Sequence, residues 1–170
     1  PTYNASKFIK NSIKSVLNQS YKNFELIIVD DCSTDNTIDI VKLFIKSDKR
    51  VRYIKTKKNS NTCALPRNLG IRAAKGKIIG LIDSDDYWYP DKLKLQLNDF
   101  KKNDYLVCSA SNYVKENQKV KSNFLINYFR IILQIFILYQ LKKDRYYWLY
   151  IYNPVVVSSV LLRKKVFNIL

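Results

Sequence analysis

The sequence has 170 residues, and 30 Lys plus Arg against 14 Asp plus Glu give it a net charge of +16. It contains no His, which excludes a Ser-His-Asp triad, a histidine zinc site and an imidazole general base. Its 3 glycines spell neither a dinucleotide-binding fingerprint nor a P-loop. The length and the 47% hydrophobic content predict one globular domain with a substantial core.

The cysteines limit the chemistry further. Cys32, Cys63 and Cys108 lie far apart in the sequence and form no CxxC pair, which argues against a cysteine zinc site or a dithiol redox motif. A sparse and odd set of cysteines is typical of a reducing compartment. We therefore expect a cytoplasmic protein.

The positive charge has two interpretations. One is a surface for nucleic acid or for an anionic membrane. The other is background composition, because Lys outnumbers Arg by 23 to 7 and the chain is also rich in Asn, Ile and Tyr. No RNA- or DNA-binding motif accompanies the charge, so we favour the second interpretation and expect no nucleic-acid partner. Peripheral contact with an anionic membrane, at its cytoplasmic face, stays open.

Hydrophobic periodicity predicts alternating helices and strands along the first part of the chain. The apolar runs at 24–31 and 77–86 are typical of strands buried on both faces of a parallel sheet, and each ends in aspartates. Alternation of this kind predicts an α/β fold with a mostly parallel sheet flanked by helices, and we expect a further strand, missing before Pro1, to complete the first unit. The predicted order is helix 6–19, strand 24–31, helix 33–48, strand 51–56, helix 63–76, strand 77–86, helix 90–102 and strand 104–114.

The pattern changes near residue 115, which divides the chain into regions 1–114 and 115–170. The apolar run 124–141 contains Arg130 and is slightly short for a membrane span, which needs about 20 mostly apolar residues. Three alternatives follow for this run: a helix packed on the domain, a helix lying in the membrane interface, or a span.

Two acidic clusters, at 30–31 and 83–86, stand at the ends of predicted strands. Ligands of open α/β sheets bind at the carboxyl ends of the strands. Residues i and i+2 of a strand share a face, so Asp83 and Asp85 are expected to point together. Two carboxylates suit a hard divalent cation, Mg²⁺ or Mn²⁺, whose remaining ligands are waters and phosphate oxygens. The pattern therefore predicts a metal-dependent site for a nucleoside diphosphate, and a turn or helix cap is the structural alternative.

Four segments, in order along the chain, resemble the family 2 glycosyltransferases, which are inverting enzymes of the Rossmann-like GT-A fold. They are PTYN at 1–4, SIKSVLNQSYKNFELIIVDDCSTDNT at 12–37, ALPRNLGIRAAKGKIIGLIDSDDYWYPDKL at 64–93 and NPVVVSSVLLRKKVF at 153–167. The resemblance implies that residues 1–114 form the nucleotide-sugar-binding half. It also implies that residues 115–170 form an incomplete acceptor side.

The resemblance gives individual residues a role. Tyr3 would stack on the base of the sugar nucleotide, Asp31 would accept a hydrogen bond from that base, and Arg67 would contact the base or the diphosphate. Asp85 would be the principal metal ligand, and Asp83 would lie near the ribose and the metal. The remaining residues are Thr2, Asn4 and Ser84 at the substrate, Asp30 orienting its loop, Asp86 as a secondary metal ligand, Trp88 at the sugar or in the packing, and Ser158 and Ser159 shaping the acceptor side.

The implied reaction transfers a sugar from a nucleoside-diphosphate sugar, with a UDP-sugar expected, to an acceptor hydroxyl with inversion. The acceptor would be a glycan or a lipid-linked glycan of bacterial surface polysaccharide or lipooligosaccharide synthesis. The family's general base usually lies in a later acidic motif, which we expect beyond residue 170, so no catalytic residue is assigned. Two alternatives remain: a catalytically incomplete nucleotide-sugar-binding fragment and a basic nucleic-acid-binding domain.

Overall fold

The computed structural model describes residues 1–111 and 157–168. The apolar run 124–141 lies outside these residues, and none of the described helices is both long enough and apolar enough to cross a bilayer. All eight helices and strands predicted over 6–114 are present, with shorter bounds. In chain order the elements are α1 (Ile9–Leu17), β1 (Leu26–Asp30), α2 (Thr37–Ser47), β2 (Val51–Lys55), α3 (Ala64–Ala73), β3 (Ile78–Gly80), α4 (Lys92–Lys102), β4 (Cys108–Ala110) and β5 (Val160–Arg163), with 3₁₀ turns at Val157–Ser159 and Lys164–Asn168.

The first sheet is parallel. β1 pairs with β2 from Leu26 opposite Val51 to Asp30 opposite Lys55. Thr2 forms an isolated parallel bridge with Asp30 on the other side of β1. The buried end of β1 packs with α1 and α2, because Ile28 belongs to the same buried core cluster as Ile13 of α1 and Val41 of α2. This arrangement brings residues 1–4 beside the carboxyl end of β1.

The second sheet is antiparallel, in the order β3-β5-β4. The α/β class is confirmed. The predicted strands 77–86 and 104–114, however, each pair antiparallel with β5 rather than joining a parallel ladder. The reason is that β5, which the periodicity did not identify as a strand, lies between them. Its Leu161 is 1% exposed and belongs to the second core cluster, whose other buried members are Val16, Trp88, Leu93 and Phe100.

The predicted strand 77–86 is also too long. β3 ends at Gly80, and the backbone N–H of Asp86 donates to the carbonyl of Asp83 at 3.1 Å, which closes a turn. The expectation that Asp83 and Asp85 share one face of a strand is therefore wrong, since both residues lie in or beside this turn. We name residues 83–86 the acidic turn.

Residues 157–168 pack in the same compact unit as residues 1–111. The predicted division at residue 114 stays a prediction, because residues 112–156 are outside the described part of the chain. Within the unit, a cavity of about 500 Å³ is lined by β1, α3, β3 and apolar side chains that include Trp88 and Leu161.

Candidate functional site

Asp30, at the end of β1, is the buried hub of the first acidic cluster. Its side chain accepts hydrogen bonds from the backbone N–H of Ser33 at 3.0 Å, from the Ser33 hydroxyl, and from the Tyr53 hydroxyl at 2.8 Å. Burial and the bond to Asp30 together raise the pKa of Tyr53 above its usual value. The prediction that Asp30 orients its loop is confirmed by these contacts.

Asp31, the next residue, holds a different loop. One carboxylate oxygen accepts a hydrogen bond from the Thr56 hydroxyl at 2.9 Å, and the other accepts two bonds from Ser60, at 2.9 Å from its N–H and 2.7 Å from its hydroxyl. Burial disfavours ionisation, but the bonds from Ser60 and Thr56 outweigh it and lower the pKa of Asp31. A carboxylate has about four acceptor positions, and described residues use three of those of Asp31.

Residues 2–4 run past these two aspartates. The carbonyl of Thr2 accepts the backbone N–H of Asp31 at 2.9 Å, which fixes the two segments together. Tyr3 is 51% exposed, so its ring is available for stacking. Asn4 has a φ of 47°, and its side-chain oxygen accepts the N–H of Thr34 at 2.8 Å, so it shapes the loop after β1.

Arg67 joins helix α3 to the acidic turn. Its Nη2 lies 2.5 Å from Oδ1 of Asp83, and its Nη1 lies 3.0 Å from the sulfur of Cys63. Burial opposes the charge of the guanidinium, but the hydrogen bond and charge of Asp83 outweigh burial and raise the pKa of Arg67. Arg67 therefore presents a fixed positive charge at this edge.

Two buried polar atoms at this edge lack a partner. Among the described residues, Thr2 Oγ1 and Arg67 Nε are the buried side-chain atoms without a hydrogen bond. An unsatisfied buried group costs about 1–3 kcal/mol, so such atoms are uncommon and mark sites where a ligand or water completes the bonding. Both belong to the residues predicted to bind substrate.

The acidic turn is fixed through its backbone. The N–H of Asp83 donates to the Ser158 hydroxyl at 2.9 Å, and the indole N–H of Trp88 donates to the Ser158 carbonyl at 2.7 Å. Trp88 is 8% exposed within the second core cluster, so the structure supports the packing alternative for this residue. Ser84 is partly buried, whereas Asp85 is exposed, and no described residue forms a hydrogen bond or ion pair with the Asp85 side chain.

A series of contacts connects the two acidic clusters. The Ser60 hydroxyl, which lies 2.7 Å from a carboxylate oxygen of Asp31, also lies 2.9 Å from the carbonyl of Thr62, so these two acceptors share its one proton. Cys63 follows as the first flanking residue of α3 and contacts Arg67, which pairs with Asp83. The structure therefore brings the predicted residues of both clusters to one edge of the fold.

Several residues of this edge were not predicted. Ser60 and Thr56 clamp Asp31, and a polar face of α1 contacts the loop that contains the acidic turn. A sequence signal exists for α1 and the residues just after it, because three polar residues recur at helical spacing on the side that carries buried apolar residues. The residues concerned are Ser12, Ser15 and Gln19.

Comparison with known sequences gives a family. The family model described as Glycosyl transferase family 2 matches residues 1–168. A Haemophilus influenzae protein named as an uncharacterized glycosyltransferase is 45% identical over 113 residues, which are 66% of this chain and 44% of that protein. The Escherichia coli UDP-Glc:alpha-D-GlcNAc-diphosphoundecaprenol beta-1,3-glucosyltransferase WfgD is 36% identical over 125 residues, which are 74% of this chain and 48% of that protein. The chain thus spans less than half the length of these relatives.

Solved structures share the fold. Residues 1–349 of S. aureus TarS, in complex with UDP-GlcNAc, align with a TM-score of 0.67 and 22% identity over 99% of this chain and 45% of that chain. The mannosyltransferase PcManGT from Pyrobaculum calidifontis, in complex with GDP-Man and Mn²⁺, aligns with a TM-score of 0.61 and 23% identity over 66% of this chain and 34% of that chain. At such identities the likeness shows the fold alone. The match to residues 1–168, in contrast, shows the family: this chain belongs to glycosyl transferase family 2.

Proposed function

We propose that this chain is the donor-binding part of a glycosyltransferase that moves a sugar from a nucleoside-diphosphate sugar to an acceptor hydroxyl with inversion. The observation that carries the proposal is a pair of buried polar atoms without a hydrogen-bond partner among the described residues, Thr2 Oγ1 and Arg67 Nε. Both lie at the edge of the fold that carries the two acidic clusters. A UDP-sugar is the preferred donor, because the name of WfgD specifies UDP-Glc and TarS was solved with UDP and with UDP-GlcNAc.

The described residues divide the donor among them. Asp31 offers its remaining acceptor position to the ring N–H of the base, and the exposed ring of Tyr3 stacks on that base. The Nε–H of Arg67 donates to a diphosphate oxygen, a task that suits the planar guanidinium. Thr2, Asn4 and Ser84 complete the walls of the donor site.

A divalent cation fits the acidic turn in one specific way. Among the described residues, no group of three His, Cys, Asp or Glu side chains could hold a metal. The exposed carboxylate of Asp85, with Asp83 beside it and Asp86 as a secondary ligand, supplies hard oxygen donors, so Mg²⁺ or Mn²⁺ would take its other ligands from the diphosphate and water. When bound, the ion neutralises charge on the departing nucleoside diphosphate. The Mn²⁺ in the PcManGT structure supports this assignment. We assign no general base to the described residues.

The acceptor is proposed to be a glycan or a lipid-linked glycan of bacterial surface polysaccharide synthesis. The name of WfgD specifies a diphosphoundecaprenol-linked acceptor, which supports the lipid-linked form. Exposed lysines of α1 and the segment before it, Lys7, Lys10 and Lys14, give the chain positive charge for contact with an anionic membrane surface. All three cysteines are free thiols, which suits the cytoplasmic face of the membrane.

Calorimetric titration with UDP in the presence and absence of Mn²⁺ tests the proposal. The parent chain should bind UDP more tightly with Mn²⁺, and Asp85→Ala should remove most of the Mn²⁺ effect. Asp39→Ala is the matched control, because Asp39 is an exposed aspartate of α2 whose ion pair with Lys42 lies on the surface. If Asp83→Ala and Asp85→Ala both bind UDP and Mn²⁺ as the parent does, the site is wrongly assigned.

A further inference from the structure

One face of α1 carries polar residues where apolar packing is the rule. Ser12, Ser15 and Gln19 are separated by three and four positions, so they lie on the same side of the helix and its C-terminal flank. Ser12 is 6% exposed and Gln19 is fully buried. Buried polar side chains persist where they satisfy other buried groups. We name these three residues the polar seam.

The polar seam bonds to the backbone on both sides of the acidic turn. The Ser12 hydroxyl donates to the carbonyl of Asp83 at 3.4 Å, and the Ser15 hydroxyl accepts the backbone N–H of Trp88 at 3.0 Å. Each contact spans more than 70 positions of sequence, so neither arises from local chain geometry. The turn is therefore held at its first residue and again two residues after its last.

Gln19 extends this hold to the start of α4. Its side-chain nitrogen donates to the carbonyl of Tyr89 at 2.7 Å, and its side-chain oxygen accepts the N–H of Leu93 at 3.0 Å. The same nitrogen donates its second proton to the carbonyl of Ser15 at 3.2 Å. Only an amide of this length offers two donors and an acceptor in one plane, so Glu or Leu at this position cannot reproduce all three bonds.

We propose that the polar seam positions the acidic turn for the diphosphate and the cation, with Gln19 as its principal positioning residue. This inference rests on the proposed function. Asp85 itself is exposed and has no partner among the described residues, so its place depends on the backbone that carries it. That backbone is held by the polar seam on one side and by Ser158 on the other. Without the polar seam, the ligand would have to order the acidic turn when it binds, and the free energy that this takes would lower its affinity.

Hydrogen exchange and calorimetry on the full chain test the proposal. In Gln19→Ala, the amide of Leu93 loses its acceptor and the segment 83–93 should exchange faster than in the parent. Affinity for UDP with Mn²⁺ should fall by about tenfold or more, since restoring the turn takes free energy from binding. Ser15→Ala should give the same pattern more weakly, through the amide of Trp88, and Ser15→Thr should restore it because threonine keeps the hydroxyl.

Arg163→Ala is the matched control. Arg163 also makes three side-chain bonds to backbone carbonyls, of Leu106, Phe100 and Asn103, but at the opposite end of α4. This variant should unfold at a lower urea concentration while it keeps the affinity of the parent for UDP with Mn²⁺. A loss of affinity in Gln19→Ala without one in Arg163→Ala separates positioning from general stability.

The outcomes are distinguishable. If the parent does not bind UDP with Mn²⁺, the proposed function fails and the inference fails with it. If the parent binds and both Gln19→Ala and Ser15→Ala bind as tightly, the proposed function stands and the polar seam is only structural. Should Gln19→Ala not fold, Ser15→Ala against Ser15→Thr decides the matter by the same measurements.

Discussion

Replacing Gly80 with alanine should destabilise the fold through one defined overlap. A Cβ at Gly80 would lie 2.8 Å from Cδ2 of Leu161 and 2.9 Å from Cη2 of Trp88. Carbon atoms pack best at about 3.5–4.0 Å, so each contact is too short by roughly 0.6 Å or more. Leu161 is 1% exposed, and the indole of Trp88 is fixed by its bond to Ser158, so neither side chain can easily move away.

The magnitude follows from two opposing effects. Adding a methyl group to a packed core costs about 1–3 kcal/mol, while Gly→Ala gains about 0.4–1 kcal/mol by restricting the unfolded chain. We expect Gly80→Ala to lower the free energy of unfolding by about 1–2 kcal/mol. Urea unfolding, followed by circular dichroism, measures this difference, and an unchanged m-value would show that the denatured state is the same.

A control and a compensating change sharpen the test. Gly76→Ala should lower the free energy of unfolding by less than Gly80→Ala does, because its added Cβ would lie 3.3 Å from the carbonyl oxygen of Ile78, a smaller overlap than the two contacts below 3.0 Å at Gly80. Leu161→Val removes the Cδ atoms, so the double variant should be less destabilised than the sum of the single variants. If Gly80→Ala is as stable as the parent, the described packing of Trp88 and Leu161 around Gly80 is incorrect.

Two further predictions concern pH. Burial lowers the pKa of Lys92 to about 8, so between about pH 8 and pH 10.4 the unfolded chain binds the additional proton, and the free energy of unfolding should rise with pH across that window. In Lys92→Met, the free energy of unfolding measured by urea titration should not rise across this pH window. If it rises with pH as steeply in the variant as in the parent, the reasoning is wrong. Hydrogen bonds from Arg50 hold the pKa of Asp48 at about 2, so its stabilising contribution is complete above about pH 4 and is lost as the pH falls toward about 2. Acid titration by circular dichroism should show a smaller loss of stability in Asp48→Asn, and identical acid midpoints would refute this role.

The sequence predicted the elements well where periodicity and position agree. The run that ends at Asp30 predicts a buried strand, because its apolar residues are consecutive and leave no polar face for an amphipathic helix. The structure confirms a strand at Leu26–Asp30. The run that ends at the acidic turn looks the same, yet its strand stops at Gly80. Ile82 is apolar because it packs against the second core cluster from a loop, and periodicity cannot separate that from strand burial.

The site was predictable in its residue types but not in its contacts. Motif resemblance identified Arg67 and Asp83, but their ion pair depends on how α3 packs, which spacing in sequence does not reveal. Gln19 and Ser60 were missed for a related reason. Polar side chains are usually solvent-facing, and their burial becomes visible only when the long-range backbone groups that they satisfy are known.

No backbone ladder joins the parallel and antiparallel sheets within the described residues. They are coupled through side chains instead, since Leu26 packs against both core clusters and Arg67 spans from α3 to the acidic turn. Two parts of a fold that are joined only by side chains can open separately, which hydrogen exchange detects. A ligand that contacts both Asp31, beside the parallel sheet, and Asp83, beside the antiparallel sheet, would link the two sheets. Its binding would therefore raise the cooperativity of unfolding as well as the denaturant concentration at the unfolding midpoint.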